Sequence, residues 1–260
     1  MLKIIKSPVS LLVCLFAIFV AKYFFVGANA NQNSSKEEVV AIKTVSNGSS
    51  AIAKENEEEV VYDYEKMFPP VDEMVKEKSV GSDNAPVVLQ VFSAYTCGHC
   101  GHFFVDTVPE LLKNEVKEGK LKIVFEELPF DVKALRASLV SICSKPENRM
   151  EVSKMIYENA MEWYNFDKNK FVDYMARHED LTGLNKEKIN ACLTYPALRT
   201  ALRKKVEEKS KPHDITSTPT LVYRKSIRTY KEAGAVPYER VAEVVDKLIK
   251  NENPSKEGEE

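Results

Sequence analysis

The chain of 260 residues has no dense basic cluster, and its formal net charge is −2. So even a balance of charge excludes the electrostatic footprint of a nucleic-acid binder. No internal repeat is visible. Only five cysteines occur. His99 and His102 interleave with Cys97 and Cys100, but there is no second, separated pair of C-x-x-C or H-x-x-H type. A structural zinc site normally draws ligands from two such pairs, so half its donors are missing and no metal is expected. Gly101 stands where haem attachment would need a histidine. Between Val132 and about Lys211 there is almost no strand signal, which leaves that stretch to helices.

What is present centres on Ser93 to Phe104. Ahead of it Val87-Val88-Leu89-Gln90-Val91-Phe92 has the length and composition of a buried strand. Behind it Phe104, Val108, Leu111 and Leu112 are spaced as one face of a helix. Cys97-Gly98-His99-Cys100 therefore sits where a strand hands over to a helix, with Cys97 at the helix N-terminus. The unpaired N–H groups and positive dipole end of a helix favour a thiolate over a thiol, and only the thiolate attacks a disulfide. Two intervening residues let Cys100 reach Cys97 within one turn. His99 is placed to give a hydrogen bond or positive charge to the Cys97 sulfur, which would favour the reduced form.

Far downstream lies Ser217-Thr218-Pro219-Thr220-Leu221-Val222-Tyr223, a proline entering an apolar strand. With the strand, aromatic-rich turn, C-x-x-C and helix, it resembles the thioredoxin fold, and specifically the DsbA-like exported thiol–disulfide oxidoreductases. The two motifs span about residues 80–250. The resemblance implies an α/β thioredoxin fold with a helical subdomain inserted between the C-x-x-C half and the cis-proline half. It also implies a cis bond at Pro219, the one residue type that takes it cheaply, and the Thr218 backbone beside Cys97. The catalytic set it implies is Cys97, Gly98, His99, Cys100, Thr218 and Pro219, with Cys97 and Cys100 as the redox-active disulfide and no cofactor.

In order, residues 1–30 look like a signal peptide: Lys3 and Lys6, then apolar Val9 to Ala21, then Ala28-Asn29-Ala30 as a small-residue cleavage site. An uncleaved anchor is the alternative. Residues 31–78 form a polar extension, a linker on composition with a homo-oligomerising contact as the other option; Tyr62 to Lys78 reads as a short helix. The first thioredoxin-like half is expected over 79–131, with Leu121 to Phe125 as a strand parallel to the first. The insert covers 132–212, with helices near 148–164, 168–177, 186–193 and 197–209. The second half covers 213–250, with a hairpin of Pro219–Tyr223 and Ile227–Tyr230 and a final helix striped by Val241, Val244, Val245, Leu248 and Ile249. Residues 251–260 read as a disordered tail.

Cys143 and Cys192 each lie on an apolar helix stripe, either as free buried thiols or as a bridge. An oxidising compartment and the resemblance favour a structural disulfide. His102, His178 and His213 are expected at the surface, Trp163 and Tyr164 in the core. Many relatives carry a buried acid six residues before the first cysteine; here that position is Val91, and Glu126 or Glu127 could substitute. The resemblance implies a periplasmic enzyme, a disulfide oxidase or alternatively an isomerase or reductase. Its partners would be unfolded or misfolded exported proteins and a DsbB-like or DsbD-like membrane redox protein. A metal-binding or chaperone-like module on the same fold is the third reading.

Overall fold

The structure, a computed structural model, describes residues 60–255. The expected signal peptide, most of the polar extension and the last five residues lie outside the described residues. Five strands share one sheet: β1 (Lys78–Val80), β2 (Val87–Ser93), β3 (Leu121–Glu127), β4 (Thr220–Lys225) and β5 (Arg228–Ala233), in the order β1-β3-β2-β4-β5. β2 runs parallel to β3, from Val87 opposite Leu121 to Ser93 opposite Glu127, and antiparallel to β4. β1 and β5 are antiparallel edges. β2 is buried along nearly its whole length, as its continuous apolar run requires of a strand covered on both faces.

The segment before the sheet differs from the single helix read in the sequence. It holds two single turns, α1 (Tyr64–Met67) and α2 (Val71–Met74), followed by β1. Phe68 is extended, as a residue before proline prefers, and Pro70 caps α2, so no helix runs through. β1 is three residues long and owes its existence to pairing with β3; so short a strand has no alternation to read. The boundary expected between 78 and 79 cuts this strand.

The helix after β2, α3, runs through four consecutive segments: Gly98–His102, Phe103–Thr107, Val108–Leu111 and Leu112–Val116. The second and fourth are widened to π geometry, and at the first widening the Val108 N–H reaches the Phe103 carbonyl. Pro109, just beyond, has no N–H to give the preceding turn, and the wider turn accommodates that loss.

The insert contains α4 (Val132–Cys143), α5 (Arg149–Glu158), α6 (Ala160–Trp163), α7 (Lys168–Ala176), α8 (Glu179–Thr182), α9 (Lys186–Thr194) and α10 (Pro196–Ser210). Asp131, Asp167 and Asn185 accept backbone N–H groups at the starts of α4, α7 and α9, the capping chemistry their side chains favour. The helix read over 148–164 is broken at Asn159, and Pro196 at the first turn of α10 separates it from α9. α11 (Tyr238–Lys250) buries Val241, Val244, Val245 and Leu248 and packs on β2 and β4.

Two further details depart from expectation. The β4–β5 turn is Ser226-Ile227, so Ile227 is exposed at its tip and the strands are longer on either side. Asn251 to Ser255 are held rather than frayed. The Asn251 side chain and backbone carbonyl accept from Lys225 and Arg228 at 3.0 and 2.8 Å. Pro254 is buried and its carbonyl accepts from Arg240 at 2.7 Å.

Candidate active site

Cys97 is the residue that starts α3. Its backbone is extended, its sulfur accepts the Cys100 N–H at 3.4 Å, and its thiol donates to the Thr218 carbonyl at 3.3 Å. The Thr218–Pro219 peptide bond is cis. Backbone register brings these distant segments together: β4 begins at Thr220 opposite Phe92, so the turn carrying Thr218 ends up beside the turn carrying Cys97. Cys97 is half-buried, whereas Cys100 is only 2% exposed, and both are free thiols. Burial pushes the Cys100 thiol well above its ordinary value, and the hydrogen bond with Cys97 adds to the effect.

Gly98 and His99 are exposed on the first turn of α3. Among the described residues no hydrogen bond joins the His99 ring to the Cys97 sulfur. A Cβ on Gly98 would meet nothing within 4 Å. His102 is exposed, with Asp106 one turn on at 3.5 Å. His178 and His213 are half-buried rather than fully at the surface, the first against the Tyr174 ring and the second against Phe92. Trp163 is buried and its Nε1 donates to the Ile156 carbonyl at 2.8 Å. Tyr164 is a correction to the expected core: it is exposed, with the Lys133 ammonium 4.0 Å from its ring centroid. Charged stems cover aromatic faces in this way at the surface.

Val91 leaves the strand before Cys97 without an acid, and the two glutamates of β3 point to different surroundings. Glu126 is buried; burial pushes its carboxyl up, offset in part by Lys205 at 3.6 Å. Glu127 joins a cluster that the sequence did not announce. The Lys78 ammonium contacts the Glu127 carboxylate at 2.8 Å, the Tyr95 hydroxyl at 3.2 Å and the Ser153 hydroxyl at 3.0 Å. Ser138 donates to the other Glu127 oxygen at 3.0 Å, and Tyr95 meets the Ser141 hydroxyl at 3.0 Å. Burial alone would lower the Lys78 pKa, but Glu127 and Tyr95 outweigh it and raise it above the ordinary lysine value. This cluster joins β1, the turn before Cys97, β3 and two insert helices. The available signal was a glutamate closing an apolar strand, with Lys78 hidden by the misread β1. Tyr157 continues inward from it, its ring 4.7 Å from Tyr95 and 5.1 Å from Phe104 of α3.

Cys143 and Cys192 lie elsewhere, their sulfurs 2.00 Å apart in a disulfide that ties α4 to α9. Among the described residues no group of three or more His, Cys, Asp and Glu side chains converges as a metal cage.

A family model described as thioredoxin matches residues 73–247. The chain belongs to the thioredoxin family. Among solved structures, alpha-DsbA1 from Wolbachia pipientis is similar at 21% identity and a TM-score of 0.60, covering 72% of this chain and 96% of its own. Oxidised BdbD from Bacillus subtilis is similar at 20% identity and a TM-score of 0.55, covering 67% and 93%. A protein-disulfide isomerase from Novosphingobium aromaticivorans is similar at 19% identity and a TM-score of 0.53, covering 67% and 96%. No curated protein matches the sequence. At such identities the likeness shows the fold: this thioredoxin-family chain has the α/β sheet and helical insert of the DsbA type, as the two motifs led one to expect. No described helix is long and apolar enough to cross a membrane.

Proposed function

We propose that this protein is an exported thiol–disulfide oxidoreductase that exchanges disulfides with folding client proteins through Cys97 and Cys100, chiefly as an oxidase. The observation that carries the reading is the unequal setting of the pair. Cys97 is reachable and lies 3.3 Å from the Thr218 carbonyl, while Cys100 is buried and held as a thiol.

In the oxidised enzyme a client thiolate attacks the Cys97 sulfur. A new S–S bond joins client to Cys97, the Cys97–Cys100 bond breaks, and Cys100 leaves with the electron pair and takes up a proton. A protonated thiol is a poor nucleophile, so Cys100 does not readily displace the client again. The client's second thiolate then attacks its own sulfur in the mixed disulfide. The client leaves oxidised, and Cys97 and Cys100 remain as the dithiol holding its two electrons. A membrane redox partner in the periplasm accepts them. The carbonyl of Thr218 stands beside Cys97, where it can receive an N–H from the client backbone.

The test is the rate at which the oxidised protein introduces disulfides into a reduced, unfolded multi-cysteine protein, beside Cys97→Ala. Rapid oxidation that depends on Cys97 is expected. Slow oxidation, with recovery of native pairing from a scrambled substrate, would replace the oxidase by the isomerase. Activity in neither assay would overturn the exchange reading.

A further inference from the structure

A groove of about 700 Å³, linked to the residue before Cys97 by the Thr96–Asp131 hydrogen bond, has as its walls the turn into α4 and the exposed side of α10. On the first wall Phe130 and Val132 are 58% and 57% exposed, and they flank Asp131. Asp131 accepts the Lys133 and Ala134 N–H groups, each at 2.8 Å, and the Thr96 hydroxyl at 2.7 Å. The last contact fastens the groove to the residue just before Cys97. It also occupies the one carboxylate lining the groove. Burial raises the Asp131 pKa, but these hydrogen bonds outweigh it and lower the net value.

The second wall presents Arg199 and Arg203, one helical turn apart and both exposed. Among the described residues neither has a carboxylate within ion-pair distance, and Arg199 donates only to the Leu193 carbonyl. On the same helix Lys204 pairs with Glu208 and Lys205 with Glu126, and Lys211, just beyond its end, pairs with Glu207. Lys209 has no carboxylate within ion-pair distance among the described residues, but it does not line the groove. Two guanidinium forks thus face an apolar wall whose own acid is committed. A guanidinium matches a carboxylate in bidentate geometry.

Resting on the exchange reading above, we infer that this groove binds an extended client segment that carries apolar and acidic residues next to the cysteine being attacked at Cys97. The apolar side chains lie on Phe130 and Val132, and the carboxylates meet Arg199 and Arg203. The site therefore prefers clients whose reactive cysteine has acidic neighbours.

The test uses the full chain as Cys100→Ala, with Cys97 carrying a thionitrobenzoate group. A peptide thiolate forms a bond to the Cys97 sulfur and displaces the coloured thionitrobenzoate anion. Three peptides of equal length are compared, with the cysteine flanked on both sides by Leu-Glu, Leu-Gln or Leu-Lys. Each rate is divided by that peptide's rate with free dithiobis(nitrobenzoate), which removes differences in thiol reactivity. At low ionic strength the Glu peptide is expected to react about five-fold faster than the Lys peptide, the gap closing in high salt. In Arg199→Glu/Arg203→Glu the order reverses. Equal normalised rates, or a preference that survives the double reversal, would overturn the inference while leaving exchange at Cys97 intact. Equal rates together with arginine-dependent binding to anionic lipid vesicles would overturn it in favour of a membrane surface. No displacement by any peptide would refute the exchange reading and the groove with it.

Discussion

Cys97 and Cys100 are three positions apart on one helical turn, one half-buried and one buried, beside the Thr218 carbonyl. Cys143 and Cys192 are separated by 49 residues, buried on facing helices of the insert, and joined. The first pair closes a ring too small to constrain the unfolded chain much; the second closes a long loop. Chain entropy puts the stabilising value of that loop at about 4 kcal/mol. On the exchange reading proposed above, the first pair is placed to react and the second to hold, although all four atoms are the same element. Position on the fold separates the two roles.

The largest effect should come from Cys97→Ala, which is expected to abolish exchange while leaving the melting temperature nearly unchanged. Full activity in that variant would erase the distinction. Cys100→Ala should instead accumulate covalent client complexes, seen as reducible bands on non-reducing gels. Removing both members of the other pair, Cys143→Ala with Cys192→Ala, should lower the melting temperature by about 10 °C and leave the oxidation rate within about two-fold. Two titratable thiols in the oxidised unmutated protein, besides any at Cys97 and Cys100, would break this half of the comparison.

Lys78 tests whether a third element belongs with the holding pair. Lys78→Met leaves the half-buried Glu127 without its cation and should destabilise by about 3 kcal/mol, with exchange largely retained. A lost rate with an unchanged unfolding curve would move the cluster to the reacting side.

The smallest effect is a pH dependence. Because the folded state raises the Cys100 pKa, the fold favours the neutral thiol. Its contribution is complete below the unfolded thiol value of about 8.5 and is lost as pH rises above it, at up to about 1.4 kcal/mol per unit. Denaturant titrations of the reduced protein between pH 7.5 and 10 should show this decline, and Cys100→Ala should flatten it. Equal slopes in the two would contradict the buried-thiol assignment.

The parts that could be read from the sequence are those in which one segment declares its own structure. β2 and β3 are continuous apolar runs, α11 carries a clean stripe, and Cys97 sits at a strand-to-helix handover. The helical character of 132–211 was legible from the absence of strand patterning. What escaped depends on partners far away in the chain. β1 exists because β3 offers it an edge, and the Lys78–Glu127 cluster draws on five segments, none of which looks unusual alone. Trp163 and Tyr164 are both aromatic, but as successive positions at the end of one helical turn they point in different directions, which turns the first inward and leaves the second at the surface. Glu126 and Glu127 are neighbours, yet strand alternation sends one toward Lys205 and the other toward Lys78.

The residues after α11 bear on how this protein can be handled. Lys225, Arg228 and Arg240 all direct donors to Asn251 or Pro254, so these few residues act as a clasp across the outer edge of the sheet. A chain shortened to Lys250 would take from Arg228 its acceptor and from Lys225 and Arg240 one acceptor each, leaving Lys225 on the α11 carbonyls and Arg240 on Glu232 and Glu243. A peptide tag appended after Ser255 leaves the clasp closed, whereas one joined directly to α11 would pull it open at the strand farthest from β1.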